Sequence, residues 1–194
     1  MSSVKDTSGN NKKNRRAYLN DFQKDATGAY VYTGAVYEYE GSAQSLRSFK
    51  VRLSVLSALA LIMLLWAGFI RVPGMDHSIY VLLPYAAALC GSSSVCWALI
   101  RLLSGGLSLR AYLYEESIEK LPIRSLFTAC CCVFALAGEL AYLFTNGISI
   151  LHSGCIPFFI QQICCIASMF LLRSDVMRTK WHRRNETATN REEN

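Results

Sequence analysis

One acidic side chain, Glu139, lies inside a long apolar stretch and is the residue best suited to do chemistry. It is the only Asp or Glu in any of the chain's long apolar runs. An ionisable group within a membrane helix is costly, so it usually has a partner and often a function. The sequence therefore predicts a site centred on Glu139.

The nearest candidate partners come from the apolar run that follows. About five residues, 145–149, separate the two runs, so their helices are expected to be antiparallel neighbours. At about 1.5 Å per residue, Cys155 falls level with Glu139, and His152 lies about one turn closer to the membrane surface. We predict that Glu139 contacts His152, with Cys155 or Tyr142 close by.

Alternating spacings of three and four place the polar residues of each run on one helical face. The face predicted for the first run contains Ser125, Thr128, Cys132, Ala135, Glu139 and Tyr142. The face predicted for the second run contains His152, Cys155, Phe159, Gln162, Ile166 and Met169.

The predicted site has three interpretations. In the first, Glu139 and His152 form a structural hydrogen bond that joins the two helices, because buried polar groups need partners. In the second, Glu139 and His152 load and release protons or cations, and Gln161 and Gln162 continue the pathway. In the third, Glu139, His152 and Cys155 bind a metal such as zinc near the outer surface. The outer-loop residues that would complete that metal site are His77 and Asp76.

Four apolar runs must position these residues: 53–70, 80–100, 125–144 and 150–172. Each is between 18 and 23 residues long and almost free of charge, which suits a helix that crosses the hydrocarbon core. Soluble core helices would carry polar stripes instead. The sequence predicts an all-α membrane protein, a bundle of four transmembrane helices.

Basic residues predict the orientation of this bundle. Nineteen of the 20 Lys and Arg residues lie on the face that carries both termini and the middle loop, and only Arg71 lies on the other. The positive-inside bias therefore predicts that both termini are cytoplasmic, in the plasma or cytoplasmic membrane. The same distribution explains the net charge of +6 without a nucleic-acid partner, which we do not expect.

Helix packing is expected to depend on small residues. Gly91 and Ser94 share a stripe in the second run, and Ala135 lies on the inward face of the third. Small residues at such spacings let helix backbones approach closely. Seven of the eight cysteines lie well inside predicted helices, so we interpret them as packing residues rather than disulfides.

The polar segments divide the rest of the chain. Residues 1–20 are predicted to be a disordered basic tail, and residues 21–46 to be a tyrosine-rich cytoplasmic segment. In that segment, tyrosines on either side of Gly34 predict a small β-hairpin. The transmembrane domain would cover 47–173, with an interfacial helix at about 108–121. Residues 174–194 would form a cytoplasmic tail.

Catalytic motifs are missing from the sequence, which contains no glycine-rich phosphate loop, nucleophile elbow or His-Glu-x-x-His. We expect no enzymatic activity and no cofactor. The sequence favours a small subunit or accessory factor of a membrane complex. Its expected partners are the lipid bilayer and either another membrane protein or further copies of this chain. The alternatives are a small proton- or cation-coupled transporter that uses Glu139, and an outer-side metal-binding protein.

Overall fold

The computed structural model describes residues 22–24, 28, 30–32, 35–106, 108–146 and 154–185. The predicted tail 1–20 and the last nine residues of the predicted tail 174–194 lie outside this part of the chain. His152 lies outside it as well.

Four long helices dominate the described residues: α1 (Ala43–Ala67), α3 (Ile79–Ser104), α5 (Leu121–Asn146) and α6 (Cys155–Arg178). All four are long and apolar enough to cross a membrane, which confirms the predicted four-helix membrane fold. At the end of the bundle where α1 begins, each helix continues beyond its apolar run. The polar residues at this end lie beyond the apolar runs but still form helical hydrogen bonds. At the start of α1, Ser42 is the N-cap, and its Oγ accepts a hydrogen bond from the backbone N–H of Ser45.

The helices form a ring in which α1 packs against α3 and α6, and α5 also packs against α3 and α6. Each helix buries one stripe with heptad-like spacing, as in coiled-coil bundles. The stripe of α5 consists of Leu121, Ser125, Thr128, Cys132, Ala135, Glu139 and Leu143. The stripe of α6 consists of Cys155, Phe158, Gln162, Cys165, Met169, Leu172 and Val176.

The outward faces of the four helices are apolar and exposed. Trp66, Leu83, Phe134 and Phe144 each expose more than 60% of their surface. A soluble bundle would place polar residues there, whereas lipid tails suit these side chains. The fold is therefore that of a multi-pass membrane protein.

Two small sheets accompany the bundle. Strands β1 (Phe22–Lys24) and β2 (Tyr30–Tyr32) form an antiparallel hairpin. Strand β3 (Ala35–Tyr39) is the centre of a second antiparallel sheet, between β4 (Ser108–Arg110) and β5 (Trp181–Asn185). We call the end of the bundle that carries this second sheet the sheet end.

The tyrosine-rich segment 21–46 contains a small hairpin, as predicted, but its strands are β1 and β2 rather than strands on either side of Gly34. Residues 30–32 pair with β1, whereas β3 pairs with strands that follow α3 and α6. A hairpin would satisfy only one edge of β3, but strands emerging from these helices satisfy both.

The segment predicted as an interfacial helix at 108–121 also differs. It begins as β4, because its backbone pairs with β3, and continues as the short helix α4 (Ala111–Tyr114) and a π-helical turn (Glu115–Glu119). The ring of Tyr114 stacks on Tyr37 with centroids 4.0 Å apart, and this contact joins the middle loop to β3.

Candidate functional site

Glu139 is fully buried in the stripe of α5, at the end of the bundle opposite the sheet. Its Oε1 accepts a hydrogen bond from the backbone N–H of Gly74 over 3.3 Å. The Sγ of Cys155 lies 3.9 Å from the same oxygen and donates to it. The carboxyl group thus lies where α5, α6 and the short helix α2 (Pro73–His77) meet.

Gly74 fits closely over this carboxyl group. A Cβ atom at position 74 would collide with Glu139 Oε2, so the contact requires glycine. Pro73 occupies the first turn of α2, where its lack of an N–H costs nothing. A Pro-Gly pair is by itself only a turn signal; here Pro73 and Gly74 form the cover of the buried acid.

The second carboxyl oxygen, Oε2, has no hydrogen-bond partner among the described residues. An unsatisfied buried polar group costs about 1–3 kcal/mol, and more when it is charged. All three ion pairs of the described chain lie at the sheet end, between other residues. Among the residues that the structure describes, the carboxyl group of Glu139 is therefore only partly hydrogen-bonded.

Of the residues predicted to contact Glu139 or to bind a metal with it, the structure places only Cys155 against its carboxyl group. Cys155 makes the expected contact. His152 lies outside the described residues, so its predicted contact with Glu139 stays a prediction. Asp76 and His77 lie on α2 but are exposed at the surface. Among the residues that the structure describes, no group of three or more His, Cys, Asp and Glu could hold a metal ion.

Gln162 lies in the buried stripe of α6 and is fully buried. Neither its Oε1 nor its Nε2 has a partner in the described part of the chain. Its neighbour Gln161 is 8% exposed, and its Oε1 is also unpartnered there. These two amides, which the sequence suggests as continuations of a pathway, leave polar atoms unsatisfied inside the bundle.

The face predicted for α6 is partly wrong. Phe158 and Cys165 are fully buried, whereas Phe159 and Ile166 are only half-buried. The reason is the contact between Cys132 and Cys165, whose Sγ atoms lie 3.6 Å apart. It turns Cys165, rather than the bulkier Ile166, toward α5.

The predicted packing residues occupy different environments. Gly91 is buried against α5, where an added Cβ would lie 2.5 Å from Thr128 Oγ1. Ala135 is fully buried in the stripe of α5. Ser94 is half-buried, and it is Ser92 that lies in the buried stripe of α3.

The sheet end is held by charged and aromatic side chains. Arg52 on α1 pairs with Asp175 on α6 over 2.8 Å, and Arg101 on α3 pairs with Glu116 over 2.6 Å. Lys50 donates to the carbonyl oxygen of Gly105. The sequence does not predict these pairs because each joins residues of different elements, at least 15 positions apart, whose contact leaves no local pattern.

The four apolar helices and the buried polar stripes define a multi-pass membrane protein. No protein-family model matches the chain, and no curated protein or solved structure is significantly similar to it. The fold and the contacts of these residues are therefore the basis for a functional proposal.

Proposed function

We propose that this chain is a non-enzymatic subunit or accessory factor of a membrane complex. It would lie in the cell membrane, with both termini in the cytoplasm. The observation that carries the proposal is the sheet β4–β3–β5. It joins three segments remote in sequence, before α1, after α3 and after α6. Such a sheet gives the polar segments one shared surface at one end of the bundle.

One face of this sheet packs toward the bundle. Tyr37 stacks on Tyr114, and Tyr39 lies edge-on to Trp181 with centroids 5.5 Å apart. Tyr114 and Trp181 also pack against the main apolar core. The sheet therefore rests on the helices through its aromatic residues.

The opposite face points away from the bundle, because side chains alternate along a strand. Val36 is paired in register with Arg110 on one side and Arg184 on the other. In the next row Glu38 is paired with His182, and Arg184 donates to Glu38 Oε1 over 3.2 Å. This mixed charged face, built around a single apolar residue, suits contact with a polar surface of another protein.

The experiment compares what co-purifies with two variants of the tagged full-length chain in mild detergent. Val36→Lys places a charge at the centre of the outward face. Ile123→Lys adds the same charge near the start of α5, where Ile123 is 70% exposed. We expect a partner protein to co-purify in a fixed ratio with the wild type and with Ile123→Lys. The amount of this partner should fall with Val36→Lys. A chain that purifies alone in all three cases would overturn it.

A second candidate function, proton- or cation-coupled transport, is favoured by one specific observation. Glu139 is fully buried, yet one of its carboxyl oxygens has no partner among the described residues. Intramembrane carboxyl groups often belong to ion or proton pathways. Flux into vesicles that depends on pH, and that Glu139→Gln abolishes while the protein still folds, would support transport over the accessory role.

A further inference from the structure

A surface groove lies on the first turns of α1, at the sheet end of the bundle. It has a volume of about 700 Å³, and we call it the α1 groove. The residues that line it follow one face of the helix and are all exposed: Ala43, Gln44, Arg47, Ser48, Val51 and Arg52. Four of these six side chains are hydrogen-bond donors, and none is acidic. The groove therefore suits an anion.

Arg52 binds Asp175 and still has donors to spare. Its Nε lies 2.8 Å from Oδ2 of Asp175 on α6, yet 62% of the Arg52 side chain is exposed. A guanidinium group has five N–H donors. Arg52 can therefore donate to a second acceptor in the α1 groove without leaving Asp175, and the ion pair fixes its position beside α6.

Arg47 supplies the net charge of the α1 groove. It takes part in none of the three ion pairs of the described chain. Lys50 does not line the groove and donates to the carbonyl oxygen of Gly105 instead. Because Asp175 balances Arg52, the described residues give the groove one net positive charge. This charge matches the single negative charge of a phosphodiester.

The depth of the α1 groove matches that of lipid headgroups. The apolar run of α1 begins at Leu53, directly after Arg52. At about 1.5 Å per residue, Arg47 lies about 7.5 Å farther from the hydrocarbon than Arg52. The headgroup layer beside the hydrocarbon core is about 5–8 Å thick. Both arginines therefore lie within the layer that contains the lipid phosphates.

The same side of α1 continues into the hydrocarbon as an apolar stripe. Its residues follow one another at spacings of four, seven and four, which keep them on one helical face. Each exposes more than half of its surface: Val51, Val55, Ile62 and Trp66. A molecule with a phosphate in the groove can therefore lay an acyl chain along this stripe, whereas a soluble anion can use only the groove.

We propose that the α1 groove binds the phosphate headgroup of one anionic phospholipid of the surrounding bilayer. Arg47 and Arg52 donate to the phosphate oxygens. Gln44 and Ser48 donate to the phosphate or to the polar group esterified to it. Basic pockets beside membrane helices bind such headgroups. This lipid site is independent of whether the chain is an accessory factor or a transporter.

The experiment measures lipid binding to the full-length protein by native mass spectrometry. The protein is freed of lipid in a neutral detergent and mixed with phosphatidylglycerol or with phosphatidylcholine of the same acyl chains. We expect one phosphatidylglycerol to bind more tightly than phosphatidylcholine, whose choline group neutralises the phosphate. Added salt should reduce this preference. Glycerol 3-phosphate, which has no acyl chains, should not bind at the same concentration.

Two variants locate the bound lipid. Arg47→Gln should weaken the apparent phosphatidylglycerol affinity about fivefold, as expected for one basic residue near the headgroups. Lys120→Gln removes the same charge from another exposed position at the sheet end, and this control should keep the wild-type affinity. Both variants replace exposed side chains and leave the Arg52–Asp175 pair intact, so both should fold.

Three results would overturn the proposal. Equal affinities of Arg47→Gln and Lys120→Gln would show that net charge, rather than the α1 groove, attracts the lipid. Equal binding of the two lipids by the wild type, or no binding of either, would show that the groove does not select an anionic phospholipid. Glycerol 3-phosphate that binds as tightly as phosphatidylglycerol would make the occupant a soluble anion instead.

Discussion

The backbone of Gly74 donates to the carboxyl group of Glu139, although the two residues are 65 positions apart in the chain. The contact joins the loop between the first two spans to the third span. It also leaves no space for a side chain at position 74. The position of the α2 segment and the position of the Glu139 carboxyl group are therefore coupled through this contact.

Gly74→Ala should destabilise the fold because its methyl group would collide with Glu139. Overpacking of this kind costs about 1–3 kcal/mol. The measurement is thermal unfolding of the purified protein in nanodiscs. Gly106→Ala is the control, because an added Cβ at Gly106 would meet nothing within 4 Å. Equal midpoints for the two variants would contradict the close fit of Gly74 over the acid.

Gly91→Ala should be destabilising for a different reason, the close approach of α3 and α5. The new methyl group would lie 2.5 Å from Thr128 Oγ1. Thr128→Ala removes that oxygen, so the cost of Gly91→Ala should fall in the double variant. Thr128→Ser keeps the oxygen and should not relieve the cost. Strictly additive effects of Gly91→Ala and Thr128→Ala would show that the two positions are not in contact.

The sequence predicted the spans better than the connections between them. Apolar runs of about 20 residues determine membrane helices locally, because every backbone group is satisfied within the helix. Strand pairing is not local. Tyr37 and Tyr39 indicate a strand, but nothing near them in sequence shows that its partners begin at Ser108 and Trp181.

The same difference applies to the site. Depth counting along two adjacent helices correctly placed Cys155 beside Glu139. It could not identify Gly74, because a loop before α3 has no periodicity that fixes its distance from α5. A Pro-Gly pair indicates a turn equally well whether the turn is exposed or lies over a buried acid.

Oxidation should crosslink α5 and α6 through Cys132 and Cys165, whose Sγ atoms are 3.6 Å apart in the bundle interior. A small membrane-permeant thiol oxidant removes two electrons and two protons as the sulfur–sulfur bond forms. Mass spectrometry of the digested protein should then find the two peptides linked. Cys132→Ser should abolish the link, whereas Cys130→Ser should keep it, because Cys130 is exposed on the outer face. A link that survives Cys132→Ser would show a different register.

Reversing the charges of Arg52 and Asp175 should preserve the junction of α1 and α6 at the sheet end. The pair is 2.8 Å apart, with 62% of the Arg52 side chain and 14% of the Asp175 side chain exposed. Because Arg52 is largely solvated, screening reduces the interaction, and we expect a coupling energy of about 0.5–1 kcal/mol. Arg52→Asp alone places two acids together and should lower the unfolding midpoint most. Combining Arg52→Asp with Asp175→Arg should recover much of that loss, and the recovery should shrink as salt is added. A double variant no more stable than Arg52→Asp would show that this ion pair does not hold the two helices together.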